Sequence, residues 1–174
     1  MTSILPTIKV TDVPENRANK LTGLAIVGYV DQREVANGYV QVVVPLHFYN
    51  GSQQPTAADL ARASDTVLGG YDNGTLDETL ANVGLHTFVA RWNVRPEWFD
   101  PNYAAAIKAG QVSENEAIQY RINMSNLTRG LFKAAGTDTI DFTTLPGKVV
   151  GFSTRNRKDD PSRLDIASFY APKK

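Results

Sequence analysis

The chain has 174 residues, no cysteine, two histidines and a formal net charge of zero. Lack of cysteine excludes a disulfide framework and a thiolate metal site, and 42% hydrophobic with 21% charged residues excludes a wholly disordered or fibrous chain. The longest apolar stretch, Val42 to Leu46, is far short of the roughly 20 residues of a membrane-spanning helix, and Met1 to Lys9 lacks the basic-then-apolar order of a secretory signal.

In chain order, residues 1–20 carry Pro6 and Pro14 without a hydrophobic period and read as a loosely ordered lead-in to one domain, 21–174. Leu21 to Arg33 and Tyr39 to Tyr49 are rich in β-branched and aromatic residues. Asn37-Gly38 lies between them, the preferred pair for a type I′ turn, so the two runs predict a β-hairpin. Residues 51–84 read as an insertion of two short helices. The first opens at Thr56 and is stopped by Gly69-Gly70; the second is boxed by Thr75 with Glu78 and ended by Gly84. Leu85 to Val94 predicts a third strand, interrupted by Pro96.

Asp100-Pro101 opens a helix that Gly110 closes, within a second insertion at about 95–116. Ser113 with Glu116 offers a helix start, but Ile118, Tyr120, Ile122 and Met124 alternate with polar residues, and period two predicts a strand there. Ser125 then caps a helix to Ala135, with a stripe of Leu127, Leu131 and Phe132 and a stop at Gly136. Pro146-Gly147 makes a turn, and Lys148 to Arg155 and Leu164 to Tyr170 predict a closing hairpin. The expected class is mainly β with short helices. The order of elements, with a helix between the third and fourth main strands, fits an OB-like five-stranded Greek-key barrel with insertions.

The C-terminal third then carries a resemblance. The segments Leu127-Thr-Arg-Gly-Leu-Phe-Lys-Ala-Ala-Gly136, Leu145-Pro-Gly-Lys148 and Leu164-Asp-Ile-Ala-Ser-Phe-Tyr-Ala-Pro172 resemble phage-encoded single-stranded-DNA-binding proteins over roughly residues 117–174. The resemblance implies a protein without catalysis or cofactor that coats exposed strands in phage DNA replication and recombination, with little sequence preference. It also implies a place in the host cytoplasm, single-stranded DNA as partner, replication or recombination proteins and further copies of the chain as possible associates, and no membrane. One departure is the end of the chain: many such proteins finish in an acidic partner-recruiting tail, whereas this one finishes in Lys173-Lys174.

Charge placement suits a polyanion. Residues 1–90 hold five basic and nine acidic residues, and residues 91–174 hold thirteen and nine. Single-strand binders need cations along the phosphates and rings for unpaired bases. Around the last hairpin the cations are Arg155, Arg157, Lys158 and Arg163, partly offset by Asp159 and Asp160, with Arg121 and Lys148 earlier in the same third. A second cluster interleaves cation and ring: Arg91, Trp92, Arg95, Trp98 and Phe99; Trp92 fits a core position at least as well, while Trp98 and Phe99, past Pro96, read as a base-stacking site or a self-association surface. Phe152, Tyr39, Tyr49, Phe169 and Tyr170 fall on expected strands, where most serve the core and one or two could face a groove. The acidic series Asp59, Asp65, Asp72, Asp77 and Glu78 has the spacing of solvated helix surfaces rather than a metal site. A phage virion structural or assembly protein is the alternative, suited by zero net charge and the Trp98-Phe99 pair.

Overall fold

Asn37 and Gly38 take φ of 65° and 78°, the positive values a type I′ turn requires, and turn the chain back on itself. The computed structural model describes residues 4–6, 9–12, 14 and 17–173. Before the turn lie β1 (Thr22–Val27) and β2 (Asp31–Glu34); after it lies β3 (Val40–Phe48). Both early strands run antiparallel to β3. The register slips by one residue between Val27↔Leu46 and Asp31↔Val43, so β1 and β2 act as one strand bent at a bulge. The expected hairpin is therefore present.

β4 (His86–Val94) pairs along the other edge of β3 over its whole length. β5 (Val149–Asn156) pairs with β1, and β6 (Leu164–Tyr170) pairs with β5. All pairs are antiparallel, in one six-stranded sheet. Among the described residues no ladder joins β4 to β6, so the sheet is not a closed barrel. The two unpaired edges still meet inside: the Trp92 ring of β4 lies 5.8 Å from the Phe169 ring of β6.

A helix fills that seam. From Glu114 to Ala135 the backbone is helical without a break, as α4 (Glu114–Tyr120), a π-wound segment Arg121–Thr128 and α5 (Arg129–Ala135). The strand expected across Ile118 to Met124 is thus corrected. Ser113 caps the helix through a bond from the Glu116 amide, and the residues that point inward, Met124, Leu127, Leu131 and Phe132, follow helical spacing. Four alternating apolar residues were too short a run to separate the two periods, since Ile118/Ile122 and Tyr120/Met124 are also four apart. Ser125 is not a cap. The helix is tied to β4 by Trp92 Nε1 donating to Thr128 Oγ1 at 3.0 Å and by Asn123 Nδ2 donating to the Asn93 carbonyl at 2.8 Å.

The insertion after β3 is a helical hairpin, α1 (Ala57–Asp72) and α2 (Leu76–Val83). α1 passes through Gly69-Gly70 instead of stopping there. A Cβ on Gly70 would stand 2.8 Å from Thr79 Oγ1, so this glycine permits close packing of α2 and is no terminator. The capping box falls at Thr56 with Asp59; the Thr75 side chain makes no cap bond. The hairpin lies on the outer side of β1, where Leu60, Val67, Leu80 and Leu85 bury Ile26. The main core lies on the inner side, built on Val42, Val44, Leu46, Trp92, Leu131 and Phe152. α3 (Pro101–Lys108) follows the Asp100 cap as expected. At the end of the lead-in Ala18 is pinned, its amide donating to the Pro161 carbonyl at 2.9 Å and its carbonyl accepting from Asn156 Nδ2 at 2.7 Å, and at the start of the domain the Leu21 amide donates to Thr154 Oγ1 at 2.7 Å.

Candidate nucleic-acid interface

The alternation of β4 sends Phe88, Ala90, Trp92 and Val94 inward and Thr87, Val89, Arg91 and Asn93 outward. On β3 the outward residues beside them include Gln41 and Val43. Because β4 and β6 do not pair, the seam between them opens outward as a trough. One half, about 710 Å³, is lined by Phe88, Val89 and Arg91 on one bank and by Arg157, Arg163 and Leu164 on the other. The second half, about 330 Å³, is lined by Tyr39, Asn93 and Arg155, with Gln119, Ile122 and Asn123 of the helix as its far wall. Gln41, Arg91, Asp165 and Ile166 belong to both halves, so the trough is continuous.

Of the cations anticipated from sequence, Arg91, Arg155, Arg157 and Arg163 come together along this trough. Arg121, Lys148 and Lys158 are exposed but line neither half. Arg95 lies back from it: its guanidinium sits 4.9 Å over the Tyr39 ring and pairs with Glu97 at 3.2 Å and Glu116 at 3.9 Å.

The aromatic assignments need correction. Trp92, Trp98 and Phe152 are buried at 5%, 2% and 0% exposure. Their rings are spent on the core: Trp92 on Thr128 and Phe169, Trp98 edge-on to Tyr39 and Tyr120, Phe152 against Phe48 and Phe88. An enclosed ring has no face for a base, so Trp98 and Phe152 leave the site, while Trp92 forms part of the lining of the second half of the trough without a free face to offer. Phe99 is 41% exposed but borders a small apolar hollow with Val94 and Phe142, away from the arginines. Two half-buried rings also border the trough, Tyr39 at one end and Phe88 at the other. Tyr170 lies across Gly151, and its hydroxyl donates to the Gly23 carbonyl at 3.2 Å.

Acids accompany the cations. Arg157 donates two hydrogen bonds to Asp159, at 3.0 and 2.8 Å, and Arg163 lies 3.5 Å from Asp160. Hydrogen bonding from Arg157 holds the Asp159 carboxyl below its usual range; the Ser162 hydroxyl does the same for Asp160. Arg155 faces Asp165 directly across the β5–β6 ladder. Arg91 has no ion-pair partner among the described residues. It stands opposite Val43 in the β3–β4 ladder and so has no carboxylate beside it there. Sequence reading passed over Gln41, Phe88, Asn93, Gln119, Asn123 and Asp165. Only the pairing of strands far apart in the chain brings them to one seam.

Where the trough meets the helical hairpin, His47 is fully buried. Its Nε2 lies 2.6 Å from Tyr71 Oη and its Nδ1 2.9 Å from Thr87 Oγ1. Burial pushes the imidazole down to about 4 and is the main force raising Tyr71 to about 12. Both groups are therefore neutral near pH 7. Among the described residues no group of three histidines, aspartates or glutamates is placed to hold a metal ion, and no helix is long and apolar enough to cross a membrane. Compared with family models, with curated proteins and with solved structures, the chain matches none.

Proposed function

We propose that this chain binds single-stranded nucleic acid, DNA in the first instance, along the seam between β4 and β6. The observation that carries the reading is the convergence of Arg91, Arg155, Arg157 and Arg163 on one continuous trough, from two strands, β4 and β5, and the loop that joins β5 to β6. A lone polynucleotide needs a cationic track with flat or amide surfaces for its bases. Tyr39 and Phe88 supply ring edges, and Gln41, Asn93 and Asn123 supply amides. The strand pairing supports an OB-type sheet left open along its closing seam. A bent first strand is shared by two neighbours, a helix precedes the fourth main strand, and a last hairpin borders the trough. With the phage-protein resemblance of residues 117–174, this gives a non-enzymatic strand-coating role in phage DNA replication or recombination.

Four phosphate contacts on a single strand give a salt slope of about −2.8, so affinity for a labelled oligothymidylate falls about fiftyfold between about 50 and 200 mM salt. Arg91→Ala with Arg155→Ala halves that slope. Anisotropy titration measures both. No binding at low salt to either DNA or RNA rejects the reading, and an unchanged slope in the double variant removes the trough from it.

A further inference from the structure

The helix 114–135 has a second flank. Gln119, Ile122 and Asn123 face the trough, whereas Tyr120, Met124, Arg129, Phe132 and Lys133 line a separate hollow of about 390 Å³, closed on its other side by Ile140. Its floor is apolar: Met124 and Phe132 are buried, and Ile140 is 37% exposed at the edge. Its rim is cationic. Arg129 and Lys133 stand one turn apart on the same side of α5, both exposed, with no ion-pair partner among the described residues. One acid, Asp138, shares the rim, and its Oδ1 accepts from Thr139 Oγ1 at 3.3 Å.

We propose that this hollow is a docking site for a short segment of a partner protein that carries carboxylates next to an apolar side chain. Charge complementarity selects that occupant. The two cations, a single turn apart, match two carboxylates of one peptide, while the exposed apolar edge at Ile140 and the half-buried Tyr120 ring offer contact to an apolar side chain. A phosphate backbone would meet the cations but leave the apolar edge, the exposed Ile140 and the half-buried Tyr120, uncovered. The volume accommodates a few side chains, which fits a short peptide and not a folded domain. Docking there is independent of strand binding, since Arg129 and Lys133 line neither half of the trough.

The test uses the whole chain, isotopically labelled for amide NMR, and a hexapeptide alternating aspartate with leucine. The expected result is saturable shifts confined to amides between Tyr120 and Ile140, lost with the asparagine-for-aspartate peptide. Arg129→Glu with Lys133→Glu weakens binding at least tenfold, while Arg91→Ala with Arg157→Ala leaves it unchanged. Ile140→Ala, at an exposed edge, provides a variant whose folding is not in question, and it weakens binding severalfold. Absence of shifts at millimolar peptide, or equal binding of the uncharged peptide, overturns the proposal. So does a result in which the charge-reversed variant loses oligothymidylate affinity and keeps the peptide, which assigns the flank to nucleic acid.

Discussion

The outer side of the sheet is treated in two ways. Over β1 and the start of β5 it presents Leu24, Ile26 and Val149, and the helical hairpin α1–α2 covers them. Over β3 and β4 it presents Gln41, Thr87, Arg91 and Asn93, and among the described residues the helix 114–135 walls only one half of that surface, through Gln119, Ile122 and Asn123. The boundary runs through His47, bonded to Tyr71 of the hairpin on one side and to Thr87 of the open face on the other. The contrast teaches that the insertion is a lid required by apolar residues. The trough is a surface mostly of polar and charged residues, which carry little apolar area that a lid would have to cover. On the proposed reading, binding belongs to the uncovered face and stability to the covered one.

The sharpest way to break this division is to attack both faces with equal violence. Val67→Asp places an unpaired charge at a fully buried position under the lid. Unfolding free energy should fall by on the order of 3–5 kcal/mol, from the lost packing and the desolvated carboxylate together. Asn93→Ala on the open face should change it by no more than about 0.5 kcal/mol. Urea denaturation measures both, and similar losses would mean that the open face is also structural.

The boundary histidine yields the next largest effect. Its folded value, about 4, lies below the ordinary 6.5, because burial penalises the imidazolium. Below pH 6.5 the unfolded chain takes up a proton that the folded chain refuses. Stability is therefore complete above pH 6.5 and declines as pH falls towards 4, by about 3 kcal/mol at about 1.4 kcal/mol per pH unit. His47→Gln abolishes that decline. Parallel stability profiles for parent and variant between pH 6.5 and 4 would show that the imidazole is solvated.

Legibility from sequence followed the range of the interactions. The Asn37-Gly38 hairpin, the β6 strand and the Gly84, Gly110 and Gly136 stops were readable because turn and cap chemistry is local. The helix across 118–124 was not. Its choice over a strand depends on what the segment holding Met124 and Leu127 packs against, and those partners lie on β4 and β6. The same limit applied to the rings. Arg91-Trp92 and Glu97-Trp98 look alike as cation–ring or charged–ring pairs, yet only burial, set by distant Thr128, Phe169 and Tyr120, decides that neither indole meets solvent. The cations fared better because long charged side chains stay at the surface wherever the backbone goes.

Tyr39 sharpens the comparison within the open face. It is the half-buried ring at one end of the trough, held by Arg95 over its face and by the Trp98 edge at 6.1 Å. Tyr39→Leu keeps most of the packing and removes the ring edge that borders the trough. Strand affinity should drop by about 1 kcal/mol, the low end for a base–ring contact, in fluorescence titration. Phe99→Ala, exposed but outside the trough, should leave it unchanged.

The smallest effect is a gain, and it asks whether the trough's arginines are held for phosphate or for the hairpin. Asp159 occupies two donors of Arg157, and Asp160 sits beside Arg163, so a phosphate must displace a resident carboxylate to reach either cation. Asp159→Asn with Asp160→Asn keeps the size and a carbonyl acceptor for the Ser162 amide, while removing both competing charges. The hairpin does not need those charges to hold its register, because the Arg157 amide donates to the Arg163 carbonyl and the Arg163 amide to the Asp160 carbonyl, each at 3.0 Å. Exposed pairs of this kind are worth about 1 kcal/mol or less, so affinity for oligothymidylate at low salt should rise about fivefold, with a steeper salt dependence. Unchanged or weakened binding in the folded variant would mean that Arg157 and Arg163 serve the loop, leaving Arg91 and Arg155 as the cations that meet the strand.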